Sequence, residues 1–88
     1  MSSERFYTYI LKSLKDASFY IGSCDDLDCR MSKHSDGWSK YTASRRPWRL
    51  KYFEAYATRK EAMKRERYLK ARKDRAYLEH LINNWLSG

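Results

Sequence analysis

The sequence predicts an α+β domain: a small three-stranded antiparallel sheet flanked by helices, in the order β-β-α-β-α-α. Three observations lead there. Two short runs near the N-terminus are rich in aromatic and β-branched residues and are separated by a brief polar stretch. A third alternating run opens behind a proline, and the spacing after it turns helical. Strands from different parts of the chain with helices packed against them make this fold class.

Phe6 to Lys12 reads as the first strand and Ser18 to Gly22 as the second, with Ser13-Leu14-Lys15-Asp16-Ala17 as the hairpin loop. Placing Tyr9 opposite Tyr20 keeps that loop short and sets the two tyrosines side by side on one face. From Asp25 to about His34 the spacing is helical, with Leu27, Met31 and His34 on one stripe. Ser35 to Pro47 is a long polar connection, and such a length in so small a domain marks a functional or mobile segment. Pro47 suits the first position of a strand, and Trp48, Leu50, Tyr52 and Tyr56 alternate to about residue 56. Thr58-Arg59-Lys60-Glu61 is a capping box opening a helix to about Arg72. A last helix from about Asp74 places Leu78, Leu81, Ile82 and Trp85 on one face.

At 88 residues the chain is expected to be one domain over 1–88. No apolar run approaches a bilayer span, and Met1 to Arg5 lacks a signal-peptide core. The two cysteines, Cys24 and Cys29, have neither a disulfide-framework nor a zinc spacing, which fits reduced thiols in a cytoplasmic protein. The net charge of +8 is lopsided: residues 1–44 hold six basic and six acidic side chains, residues 45–88 thirteen and five. An excess confined to one half points to a polyanion or an anionic surface as partner. Lys40, Arg45, Arg46 and Lys70 belong to this basic set, interleaved with Tyr41, Trp48 and Tyr68. A solvated face is the default for such charges, but stacking groups among them favour a surface that follows a phosphate backbone.

Two features carry possible chemistry. The inward stripe of the second long helix runs Ala62, Met63, Glu66, Leu69. A carboxylate there either pairs with a base such as Arg65 or Lys70, or faces a cleft where it would hold a hard cation. Arg30 and His34 stand at i and i+4 on the first helix. They are read either as a snorkelling arginine and a capping histidine, or as a phosphate clamp and a proton carrier.

The order of these residues resembles the GIY-YIG nuclease family. Tyr7-Thr8-Tyr9, then Tyr20-Ile21-Gly22 after ten residues, Arg30, His34 and a helix-borne Glu66 fall where that family has its signature. The chain is similar to small stand-alone members related to the N-terminal nuclease domain of the DNA-cutting component of excinuclease ABC. Ser39 to Thr42, Arg45 to Trp48 and Tyr52 to Glu54 look typical of that stand-alone group. The resemblance implies a metal-dependent DNA endonuclease, with repair, recombination or restriction as settings. Glu66 would bind one Mg²⁺ or Mn²⁺, Tyr9 and Tyr20 would line the site with one of them helping to deprotonate the attacking water, Arg30 would neutralise the phosphate, and His34 would assist proton transfer or hold a phosphate. Gly22 would allow close packing at the strand end. Departures from the family pattern are Tyr7 and Thr8 in the first motif, Ser23 where the excision nuclease has lysine, and Leu78 where an asparagine is expected. Family members usually carry a separate DNA-binding domain and none is expected in these 88 residues, which implies weak activity, dependence on a partner protein or restriction to unusual DNA structures. The alternatives are a non-catalytic nucleic-acid-binding module of the same fold and a basic protein-interaction domain.

Overall fold

The aromatic run at the N-terminus becomes the middle of the sheet. In the computed structural model, which describes residues 5–35, 43–72 and 74–87 (side chains at 34, 35, 86 and 87 excepted), β1 spans Phe6–Ser13, β2 Phe19–Cys24 and β3 Trp48–Tyr56. The helices are α1 (Leu27–Ser35), α2 (Arg59–Arg72) and α3 (Arg75–Ser87). The sheet order is β2-β1-β3 with both pairings antiparallel, so β1 is central and β2 lies at an edge. The α+β class and the element order are those expected from the sequence.

Both faces of the sheet are covered, which is why Tyr9, Ile10 and Leu11 are all fully buried although consecutive side chains point to opposite sides. On one face Ile10, Ile21 and Tyr52 pack with Leu69 of α2 and with Leu78 and Ile82 of α3. On the other, Tyr9, Leu11 and Cys24 pack with Leu27 and Met31 of α1 and with Leu50 and Phe53. Each helix starts on a side-chain cap. Asp26 accepts from the Cys29 amide at 3.0 Å, Thr58 from Glu61 at 3.2 Å and Asp74 from Tyr77 at 3.1 Å. The Thr8 hydroxyl donates to the Ala62 carbonyl at 2.6 Å, and the small Ala62 lets α2 come that close to β1.

Three details differ from the sequence reading. Tyr9 pairs with Gly22, and Tyr20 pairs with Leu11, so the two tyrosines are diagonal rather than opposite. The hairpin loop explains the shift: β1 runs on to Ser13, whose amide bonds the Ser18 carbonyl, and Ala17 turns the chain at φ 64°. β3 does not alternate regularly either. Ile10 pairs with Tyr52 but Leu11 with Leu50, leaving Lys51 as a bulge. Trp48 and Leu50 therefore serve the α1 face and Tyr52 the other. Finally, Met63 is 46% exposed, so it does not share the inward stripe with Ala62 and Leu69.

Candidate active site

Gly22 is where the site begins. A Cβ built there would lie 2.5 Å from the Tyr9 hydroxyl and 2.7 Å from Tyr9 Cζ, both far inside van der Waals contact. Register causes this: Gly22 is the cross-strand partner of Tyr9, and the ring lies across its bare Cα. Tyr20, two positions earlier on the same face, stacks on Tyr9 with centroids 6.3 Å apart and planes tilted by 34°. Trp48 meets Tyr20 edge-on at 6.1 Å.

Arg30, in the first turn of α1, hydrogen-bonds the Tyr9 side chain. Burial nevertheless dominates and holds the Tyr9 hydroxyl well above the usual tyrosine range. The neighbouring Tyr20 pushes the same way, and Arg30 opposes both. Tyr9 thus stays protonated and is no ready base, its oxygen accepting from the Arg30 guanidinium. Cys24, buried beneath this group, is raised by burial against the pull of Arg30.

Glu66 approaches from the other face. The Ser23 hydroxyl donates to its Oε1 at 2.6 Å, and the Lys70 ammonium holds its Oε2 at 2.6 Å, one helical turn on. The Glu66 side chain is 21% exposed and that of Lys70 53%. Alternation along β2 brings the two groups near each other. Gly22 faces the tyrosines, Ser23 faces Glu66, and the strand carrying both is at the sheet edge. Tyr20 and Lys70, one from each group, line a common groove of about 420 Å³.

Of the residues expected from the sequence, Tyr9, Tyr20, Gly22 and Arg30 therefore converge on the α1 face, and Glu66 and Lys70 meet on the α2 face. Arg65, one candidate partner of Glu66, bonds Glu54 instead. Arg45 sits 3.3 Å from Asp16 and Arg46 donates to the Ala43 carbonyl, so both bases engage the chain near the hairpin. The side chain of His34 and all of Lys40 lie outside the described residues.

Ser23 entered the sequence reading only as a departure from the family pattern. Its alternation with Gly22 was the signal that it faces a different helix. A second group was not foreseen. Glu54 accepts hydrogen bonds from the Tyr52 and Tyr56 hydroxyls and from Arg65 at 3.0 Å, and Arg65 also donates to the Tyr77 hydroxyl at 3.3 Å. Burial works against the Glu54 charge, but these donors prevail and hold its carboxyl below the usual range. The group is internally satisfied and ties β3 to α2 and α3.

A sheet ordered β2-β1-β3 with helices on both faces, carrying these side chains, has known relatives. The family model described as the GIY-YIG catalytic domain covers residues 5–79. The chain belongs to the GIY-YIG family. Among its relatives, UPF0213 protein YazA of Bacillus subtilis is 38% identical over 96% of this chain and 88% of its own length. A UPF0213 protein of Staphylococcus saprophyticus is 44% identical over 76% and 82%. The solution NMR structure of a UPF0213 protein of Bacillus halodurans superposes with a TM-score of 0.56 at 39% identity, covering 90% of this chain and 83% of that one.

Proposed function

We propose that the chain is a metal-dependent endonuclease that hydrolyses phosphodiester bonds in DNA. The observation that supports this most is the Glu66 carboxylate, oriented by Ser23 at 2.6 Å one strand position from the glycine under Tyr9. Among the described residues no three His, Cys, Asp or Glu side chains converge. A cation would be held by Glu66 with the Ser23 hydroxyl beside it, its remaining positions going to water and phosphate oxygens. That oxygen-only donor set fits Mg²⁺ or Mn²⁺. Bound there, such an ion supplies charge stabilisation to the phosphate and its leaving oxygen.

The protein's own groups do the rest. Arg30 neutralises the phosphate as charge accumulates on it. Tyr9, neutral and buried, holds Arg30 in place. The Tyr20 hydroxyl accepts a hydrogen bond from the attacking water and relays its proton to the imidazole of His34, its own proton moving on as the water's arrives. Lys40, Arg45, Arg46 and Lys70 attract and track the phosphate backbone, each contact adding to the salt dependence of binding. Repair or recombination inside the cell, with a partner protein supplying specificity, is the setting this activity suits. No helix among the described residues is long and apolar enough to cross a membrane.

A second reading, a binding module without turnover, draws on the Lys70 ammonium, which already neutralises Glu66. Nicking of supercoiled plasmid in Mg²⁺ separates the two. Glu66→Ala is expected to lower the rate by about 100- to 1,000-fold, the scale of losing one group that stabilises the transition state. Nicking that survives the substitution unchanged would overturn the catalytic assignment.

A further inference from the structure

The groove that Tyr20 and Lys70 share has more to it than those two residues. Its floor is apolar, built from Ile21, Leu69 and Leu78, and Phe19 forms a flat wall at the start of β2. The Arg75 guanidinium lies over the Phe19 ring at 4.5 Å, and the Lys12 ammonium lies 5.8 Å from the same ring. The groove is therefore apolar and aromatic inside, has Lys70, Arg75 and the carboxylate of Asp74 along its rim, and opens beside the edge of the sheet.

We propose that this groove receives the base of the nucleotide adjoining the cut phosphate, taken out of its stack. The assignment rests on the nuclease reading, which puts the scissile phosphate beside Glu66. Lys70 touches Glu66 at 2.6 Å and also lines the groove, so a strand bound at one passes the other. A nucleotide combines a flat, uncharged base with an anionic phosphate. An apolar floor with an aromatic wall suits the first, and Arg75 and Lys70 suit the second. A volume of about 420 Å³ lies in the range of small-molecule sites and accommodates a nucleoside. Phe19 and Leu78 thus become specificity residues for the base, outside the group that handles the phosphate.

The test begins with binding. The ¹⁵N-labelled chain, kept in EDTA so that no cleavage occurs, is titrated with thymidine 5′-monophosphate and separately with 2-deoxyribose 5-phosphate. The nucleotide is expected to move the resonances of Phe19, Ile21, Leu69 and Leu78, and the sugar phosphate those of Lys70 and Arg75 alone. Equal shifts from the two probes, or none on the groove floor, would overturn the assignment whatever the outcome of nicking. The second measurement is cleavage in Mg²⁺ of an oligonucleotide carrying an abasic residue next to the cut position. The missing base is expected to slow wild type by about five- to a hundred-fold, the worth of one stacked base. Phe19→Leu should shrink that ratio while retaining cleavage of the abasic strand. An unchanged ratio in Phe19→Leu would overturn the groove assignment. Loss of the nuclease reading instead shows itself as nicking independent of Glu66, with the nucleotide shifts unaffected.

Discussion

Gly22→Ala is the sharpest test of how the site is built. The added methyl would lie 2.5 Å and 2.7 Å from two atoms of the Tyr9 ring and 3.1 Å from Tyr20 Cε2, where ordinary contacts begin at 3.4 Å. Tyr9 has no exposed surface, so its ring has nowhere to retreat, and β2 has to lift from β1 instead. Overpacking of this kind costs about 2–3 kcal/mol, at the upper end of its usual range because the obstacle is a rigid ring. For a domain of this size the loss lowers Tm by roughly 8–24 °C. Urea unfolding followed by circular dichroism measures the cost directly. Tyr9→Phe deletes the closest atom of the clash, so combining it with Gly22→Ala should recover about 1 kcal/mol relative to the sum of the single changes. If Gly22→Ala unfolds within about 0.5 kcal/mol of wild type, or the pair is strictly additive, the ring does not rest on the glycine and this account of the motif fails.

Other outcomes follow from the remaining contacts. Ser23→Ala removes the hydroxyl that orients Glu66 and is expected to weaken Mn²⁺ binding by about 10-fold with little change in Tm, as read by titration calorimetry. Arg65→Leu strands the half-buried Glu54 carboxylate and should cost about 2–3 kcal/mol in urea unfolding. Glu54 also predicts a pH response. Its folded pKa lies below the ordinary value of 4.5, so its stabilisation is complete above that value and fades as pH falls below it. Glu54→Gln should flatten the acid limb of the stability profile. Ala17→Gly relieves a left-handed residue at φ 64° and should raise stability by up to about 1 kcal/mol. Arg46→Ala should reduce the slope of log DNA affinity against log salt by about one, equally for all sequences.

Helix starts were legible because their signals are local. Asp26, Thr58 and Asp74 cap the first turns with their own side chains, and a residue needs only its near neighbours to do so. The strands were legible in extent and order but not in register. The hairpin closes with Ala17 in a left-handed conformation that no glycine announces, and this moved Tyr9 from Tyr20 to Gly22. The bulge at Lys51 was likewise silent in the alternation, since its neighbours read as one face and fold onto two. In the candidate site, residue types in order single out Tyr9, Tyr20, Arg30 and Glu66 as candidates. Their partners were another matter: Arg65 was as plausible a mate for Glu66 as Lys70, and only the packing of β3 under α2 sent it to Glu54.

By itself, then, the sequence determined the elements, their order and the identity of the groups that bear charge. Periodicity, caps and the spacing of Tyr-Ile-Gly are properties of contiguous residues. The tertiary structure decided which groups meet. It wedged the Tyr9 ring on Gly22, buried its hydroxyl until it stays protonated, and hung Glu66 from Ser23 at the opposite side of the same edge strand. Those outcomes depend on strand register and on which helix covers which face. Both arise from contacts between residues far apart in the chain, such as Thr8 with Ala62, 54 positions on, which no local pattern encodes.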